Sequence, residues 1–134
     1  MIAVDTSVVV AAFATWHEGH ERAAEALAPG ARLPAHCALE CYSVLTRLPP
    51  PHRVAGALAR DFIEARFTGP LLTLDPAGHL ALLDQLVDRS IAGGAAYDAL
   101  VAFTAARNGA RLVSRDRRAA RVYEALEVEF ELIL

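Results

Sequence analysis

The chain has 134 residues, which is enough for one domain with a buried core, and we predict a single domain over residues 1–134. A hydrophobic content of 54% excludes a disordered chain. The net charge is −3, from 16 acidic residues and 13 basic ones that are all arginine. This charge neither indicates nor excludes a nucleic-acid partner.

Several classes of protein are disfavoured by what the sequence lacks. No segment approaches the roughly 18–20 apolar residues of a membrane span, and no basic segment precedes the short apolar stretch over 8–14. Cys37 and Cys41 are four residues apart, a spacing that favours small buried residues on one helix face rather than a redox motif. We therefore expect a cytoplasmic protein with no membrane partner.

The first half of the chain alternates between short strands and helices. In chain order we predict a strand over 1–4, helices over 8–14 and 17–27, a strand over 32–34, and helices over 36–48 and 53–67. Thr6 or Ser7 is the predicted N-cap of the first helix. The predicted buried stripe of the helix over 53–67 consists of Val54, Leu58, Phe62 and Ile63.

The second half continues this alternation. It is predicted to contain a strand over 70–74, helices over 76–90 and 95–108, a strand over 111–113, a helix over 117–126 and a strand over 128–132. Asp75 is the predicted N-cap of the helix that Pro76 begins, and Gly109 the residue that ends the alanine-rich helix. The inward face predicted for the helix over 76–90 consists of Leu80, Leu83, Leu86 and Val87.

This order of elements predicts an α/β fold: a parallel β-sheet flanked by helices in three layers, α/β/α. In open parallel sheets, ligands bind outside the carboxyl ends of the strands. The first strand and the strand over 111–113 are both followed closely by an aspartate, Asp5 and Asp116. The sequence therefore directs attention to acidic residues at this edge of the sheet.

Four acidic residues stand at the ends of apolar runs or within them. Asp5 and Asp116 follow strands, whereas Glu40 and Asp98 are expected near the first turns of helices, among alanine, leucine and cysteine. Each one alone could be an N-cap or a solvated helix residue. Burying a charge is costly unless it is paired or bound to a metal. Their joint placement favours one acidic cluster that binds Mg²⁺ or Mn²⁺.

The same residues carry a resemblance to a known family. Asp-Thr-Ser at 5–7, Glu40, Tyr-Asp-Ala-Leu at 97–100 and Leu-Val-Ser-Arg-Asp-Arg at 112–117 occur in an order that resembles the PIN-domain ribonucleases. The resemblance is closest to the VapC toxins of bacterial toxin–antitoxin pairs, and it covers essentially the whole chain. Ser114 stands where the family often has threonine, and serine keeps the hydroxyl group.

The resemblance implies an endoribonuclease that depends on Mg²⁺ or Mn²⁺ and acts as a toxin restraining growth. It implies catalytic, metal-binding roles for Asp5, Glu40, Asp98 and Asp116. Ser7 or Ser114 would hydrogen-bond to a ligand carboxylate and orient it. It also implies a homodimer and a cognate antitoxin protein. The RNA substrate, the number of ions and the choice between Mg²⁺ and Mn²⁺ stay open.

Some nearby residues allow two interpretations from the sequence. Arg115 and Arg117 could contact RNA phosphates or belong to a solvated helix face. His17 and His20, three apart, could bind zinc, but no further histidine or cysteine stands at a useful spacing. Trp16 is predicted to pack in the core rather than to serve a dimer or antitoxin surface.

Three other functions compete with ribonuclease activity. A phosphoryl-transfer enzyme with Asp5 as its nucleophile would typically use a lysine, and a P-loop requires a Gly-Lys pair, yet the chain has no lysine. The alternative from a different class is a catalytically silent PIN-like module that binds RNA or protein. Such a module would be expected to have lost one of the acidic residues, and all four are present.

Overall fold

Three short parallel strands, in the order β1-β2-β3, form the centre of the structure, a computed structural model that describes all 134 residues. In chain order the elements are β1 (Ile2–Val4), α1 (Thr6–Phe13), α2 (His20–Ala26), α3 (Ala35–Thr46), α4 (Gly56–Arg66), α5 (Pro76–Asp88), α6 (Ala95–Arg107), β2 (Arg111–Ser114), α7 (Arg117–Ala125) and β3 (Phe130–Leu132). In register, Val4 faces Val113, which in turn faces Glu131. The predicted α/β class with a parallel sheet is confirmed.

Two of the five predicted strands are wrong as strands. The segments over 32–34 and 70–74 contribute only isolated parallel bridges, Ala3 with Arg32 and Pro34 with Leu72. Pro34 has no N–H group to donate, which interrupts a regular ladder where the two segments meet. The bridges nevertheless continue the sheet beyond β1, and the Leu72 N–H donates to the Leu33 carbonyl at 2.9 Å.

The core forms around the sheet from small and branched side chains. One cluster of 25 buried residues includes Val4, Leu112 and Val113 of the strands. Helix α6 adds Ala99, Ala102 and Ala105, whose small side chains let its backbone approach its neighbours closely. Cys37 and Cys41 are fully buried free thiols in this cluster, as predicted. Burial raises the pKa of the Cys41 thiol to about 12, so it stays protonated.

The predicted helix ends are confirmed where local chemistry determines them. The Asp75 carboxylate accepts the Gly78 N–H at 2.7 Å and caps α5, with Pro76 in its first turn. Gly109 follows α6 with φ +70°, the left-handed conformation that glycine adopts without a Cβ penalty. None of the seven helices is both long and apolar enough to cross a membrane.

The predicted buried faces are wrong at several large side chains. Leu58 of α4 and three residues of α5, Leu80, Leu83 and Val87, are exposed, whereas Ala59 and Leu82 are buried instead. Trp16, predicted in the core, is 54% exposed. A helical period shows which side chains share a face, but the packing of other elements decides which face is covered.

Candidate active site

The carboxyl ends of β1 and β2 open into a cleft of about 400 Å³. The structure brings together all four predicted acidic residues there, since the cleft is lined by Asp5, Glu40, Asp98 and Asp116. Asp5 and Asp116 follow the strand ends and form what we call the floor, together with Ser7, Ser114 and Tyr123. Glu40 of α3 and Asp98 of α6 form what we call the helical wall.

Asp5 is the most constrained carboxylate of the floor. It is the N-cap of α1, a correction to the predicted Thr6 or Ser7, because its Oδ1 accepts the Ser7 N–H at 3.1 Å. The Ser7 hydroxyl donates to the same oxygen, and the Tyr123 hydroxyl donates to Oδ2 at 2.8 Å. Burial raises the pKa of Asp5, and the surrounding hydroxyl groups of Ser114, Ser7 and Tyr123 counteract that rise.

The two serines connect the floor to β2. Ser7 Oγ accepts the Arg115 N–H at 2.8 Å while donating to Asp5, so one hydroxyl links both strand ends. Ser114 is fully buried, and its Oγ accepts the Asp116 N–H at 3.0 Å. Ser7 therefore orients the Asp5 carboxylate, and Ser114 fixes the backbone that carries Asp116.

Asp116 is the N-cap of α7 and remains exposed. Its Oδ1 accepts the N–H groups of Arg118 at 2.8 Å and Ala119 at 3.1 Å. Oδ2 has no protein partner in the structure. Capping thus fixes the orientation of this carboxylate while one oxygen stays free for a cation or water.

The carboxylates of the helical wall are held only by their own helices. Glu40 lies in the second turn of α3 rather than the first, and its Oε2 is 3.6 Å from His36 Nε2. Asp98 lies in the first turn of α6, as predicted, and makes no hydrogen bond through its carboxylate. Partial burial, followed by the charges of Asp116, Glu40 and Asp5, raises the pKa of Asp98 to about 6.

This donor set fits a hard divalent cation. No group of three or more histidine, cysteine or acidic side chains is close enough to form a ready-made metal site. Mg²⁺ usually takes one or two carboxylates directly and keeps several waters, so it does not need such a group. The pKa of Asp98 is raised first by partial burial and then by the charges of Asp116, Glu40 and Asp5, so this carboxylate experiences repulsion from the other three. A bound cation would relieve that repulsion.

The two arginines predicted near the fourth acid have different positions. Arg115 lines the cleft, and its guanidinium packs against Gly19, where an added Cβ would lie 2.3 Å from Arg115 Cζ. Its Nε is buried without a hydrogen-bond partner, and the side chain forms no ion pair. Arg117 is exposed and does not line the cleft. The structure therefore favours Arg115 over Arg117 as a contact for substrate.

Three polar residues line the cleft that the sequence analysis did not place there: Tyr123, Arg47 and His17. Tyr123 is almost completely buried and lies 118 residues from the aspartate that it contacts. Its position seven residues after Asp116, on the same face of α7, could have indicated it.

His17 accepts the Gly19 N–H through Nδ1 at 2.9 Å, and Arg47 caps the end of α3. The structure does not support zinc binding by His17 and His20. His20 Nδ1 lies 3.0 Å from the Ala11 carbonyl oxygen, and the two histidines belong to no group of potential metal ligands.

Comparison with known proteins shows the family of this chain. The family described as PIN domain matches residues 2–125. Ribonuclease VapC40 of Mycobacterium tuberculosis is 53% identical over 133 residues, covering 99% of each chain. Ribonuclease VapC27 of the same species is 41% identical, covering 95% of this chain and 93% of its own. VapBC2 from Rickettsia felis, solved bound to a DNA fragment from its promoter, superposes with a TM-score of 0.67 at 16% identity over the full length of both chains.

Proposed function

This chain belongs to the PIN-domain family and, within it, to the VapC ribonucleases, and we propose that its acidic cleft cleaves RNA with a bound Mg²⁺ or Mn²⁺. Family membership makes it an endoribonuclease toxin of a toxin–antitoxin system. The metal dependence and the roles of individual residues are the proposal. The observation that carries it is the convergence of four carboxylates on one cleft, with the pKa of Asp98 raised to about 6.

The proposed role of each carboxylate in metal binding follows from how the structure holds it. Asp5 and Asp116 would present fixed oxygens to the cation, since N-capping and hydrogen bonds hold them. Asp98, without a partner, would turn toward the cation, and Glu40 would hold it directly or position a water. The bound ion would supply charge for the phosphate oxygens and lower the pKa of an attacking water.

Arg115 would hold the RNA rather than the metal. Its guanidinium has no protein counter-ion and lies at the cleft, where a planar set of donors suits a phosphate group. This assignment keeps the cation near the carboxylates and the arginine near the phosphodiester. It also accounts for Gly19, because any side chain at that position would occupy the space of the guanidinium.

We also propose a cognate antitoxin and a second copy of this chain as partners. The similarity to VapBC2 supports the antitoxin. The exposed apolar side chains of α5, Leu80, Leu83 and Val87, support a protein interface, because contiguous exposed apolar surface commonly marks one. Light scattering of the purified protein, with Leu83→Glu as the variant, tests the homodimer; a monomer at every concentration would contradict it.

The experiment that tests the proposed function is incubation of the purified protein with total cellular RNA. Reactions contain Mg²⁺, Mn²⁺ or EDTA, and new 5′ ends are mapped. We expect discrete cuts with either ion, none with EDTA, and none from Asp5→Asn or Asp98→Asn. Asp84→Asn serves as the matched control, since Asp84 is exposed on α5 and outside the cleft.

Two results would overturn parts of this proposal. Full activity in EDTA would contradict the proposed metal dependence. Full activity of both cleft variants would contradict the proposed roles of Asp5 and Asp98. Specific RNA binding without cuts under any condition would favour the silent PIN-like module instead.

A further inference from the structure

Trp16 and His52 form an exposed aromatic platform beside the cleft. Their ring centroids are 4.1 Å apart with an interplanar angle of 31°, and Trp16 is 54% exposed. They come from different segments: Trp16 from the turn between α1 and α2, and His52 from the segment between α3 and α4. One face of the indole is therefore occupied by His52, while most of its remaining surface contacts solvent.

Local hydrogen bonds fix the backbone segments that carry both rings. The His17 N–H donates to the Ala14 carbonyl at 2.9 Å, which closes the turn around Trp16. The His52 N–H donates to the Pro49 carbonyl at 2.9 Å, and the Val54 N–H donates to the Leu45 carbonyl at 3.1 Å. The platform is thus formed in the isolated chain, without a partner to order it.

The platform continues into the cleft. His17, next to Trp16 in sequence, lines the cleft, and their rings are 6.3 Å apart. Arg47 also lines it from the end of α3. Arg47 donates to the Ser43 hydroxyl at 3.1 Å and Arg53 to the Leu48 carbonyl at 3.0 Å, and neither forms an ion pair. Cationic and aromatic side chains therefore adjoin the acidic cleft on this side.

The composition of this surface fits RNA better than protein. Trp16 is the one exposed large hydrophobic residue in the turn between α1 and α2 and in the segment between α3 and α4. Exposed aliphatic side chains, which a docked helix would require, lie on the helices instead: one each on α3 and α4, Leu39 and Leu58, and three on α5. The nearest acid in sequence is Glu18, which is exposed. Unpaired bases of single-stranded RNA stack on aromatic side chains while arginines contact their phosphates.

We propose that Trp16, backed by His52, stacks an unpaired nucleobase of the RNA that flanks the cleaved phosphodiester. This inference rests on the proposed function, because it requires RNA in the neighbouring cleft. It makes Trp16 a binding residue that selects single-stranded RNA, with Arg47 contacting the adjoining phosphate. Double-stranded RNA, whose bases are already stacked on one another, would not use it.

Trp16 is the only tryptophan of the chain, so fluorescence excited selectively at tryptophan, outside the tyrosine absorption, reports on the platform alone. We would titrate Asp98→Asn protein with single-stranded decamers of adenylate or uridylate, and with inorganic polyphosphate as a probe that lacks bases. We expect both RNAs to quench the emission and to protect it from acrylamide, and polyphosphate to do neither. RNA that binds by anisotropy but leaves the emission and its acrylamide quenching unchanged would overturn the proposal.

Cleavage of a mapped site provides the second measurement. Trp16→Ala should raise KM by about 5- to 100-fold, the range that base–aromatic stacking supports, and Trp16→Phe should restore most of it. Leu71→Ala is the control, since Leu71 is exposed and lies outside both the cleft and the α5 surface, and melting curves check that each variant folds. An unchanged KM for Trp16→Ala, or a variant that loses only a co-expressed antitoxin, would overturn the proposal. If no protein, including the unsubstituted chain, cuts RNA while RNA still quenches the emission, the proposed catalysis is wrong and the stacking of a base on Trp16 is supported.

Discussion

The floor and the helical wall of the cleft supply the same chemical group by different means. On the floor, Asp5 receives three hydrogen bonds and Asp116 two, and both carboxylates cap helices. On the wall, Asp98 has no hydrogen-bond partner, and Glu40 has only His36 nearby. The floor carboxylates are therefore part of the fold itself, whereas Asp98 of the wall is partly buried near three other carboxylates and has no hydrogen-bond donor. A site that binds a cation needs both: fixed oxygens for geometry and unpartnered charge for affinity.

The largest contrast should appear when each type of carboxylate is removed. Asp5→Ala leaves Tyr123 Oη without its buried acceptor and α1 without its cap, so we expect a loss of about 2 to 4 kcal/mol in the free energy of unfolding. Asp98→Ala should leave stability without metal unchanged or increased, because it removes repulsion. Urea unfolding in EDTA measures both. Equal losses in the two variants would break the distinction between floor and wall.

A smaller change tests how the floor holds Asp5. Tyr123→Phe removes one hydroxyl and leaves Asp5 Oδ2 buried without its donor, so we expect a loss of about 1 to 2 kcal/mol in the free energy of unfolding. We also expect about 10- to 100-fold weaker Mn²⁺ binding, as for other residues that orient a metal ligand. Titration calorimetry with Mn²⁺ measures it. Tyr97→Phe is the matched control, since Tyr97 is exposed and its hydroxyl makes no hydrogen bond; Mn²⁺ binding equally weakened in that control would count against a specific role for Tyr123.

The wall should respond to pH more than to packing. The pKa of Asp98 is raised to about 6 in the folded chain, above the ordinary aspartate value of 3.8. The folded state therefore binds the proton more tightly, so the contribution of this group to stability is full below pH 4 and is lost as pH rises through about 6. We expect the melting temperature of the metal-free protein to fall as the pH rises from 4 through about 6. In Asp98→Asn this decrease should be smaller.

Asp5 also has a raised pKa, so a residual slope should persist in Asp98→Asn. Mg²⁺ should raise the melting temperature at pH 7 more than at pH 5, because protonation competes with the ion. If the metal-free melting curves of the unsubstituted chain and of Asp98→Asn are identical across this pH range, the pKa of Asp98 is not raised by its burial and by the other carboxylates.

The smallest expected effect concerns the Arg115 guanidinium, which lines the cleft beside the floor. Gly19→Ala places a Cβ where the Arg115 guanidinium lies, and a flexible side chain moves away at little cost in stability. We expect weaker RNA binding and a salt dependence of log K that is shallower by about 0.7, the value for one lost phosphate contact on a single strand. Arg115→Ala should match it, and an unchanged salt dependence in either variant would argue against the phosphate contact.

Much of the floor could be predicted from the sequence because its chemistry is local. Asp116 follows an apolar strand and precedes a helix, which indicates both its strand-end position and its cap. Asp75 and Gly109 were predicted in the same way, and the structure confirms both. Asp5 was predicted at its strand end, but the sequence left its role as N-cap open, because Thr6 and Ser7 are equally good candidates; the structure selects Asp5.

The sequence by itself determined the order of the elements, the parallel α/β class and the four acidic residues, because short-range patterns and backbone capping specify these features. Only the tertiary structure decided which face of α5 is exposed, that Trp16 lies at the surface, and that Tyr123 reaches Asp5 across 118 residues. It also reduced two predicted strands to single bridges. Those outcomes depend on which elements pack together, and the local pattern of a helix or strand does not contain that information.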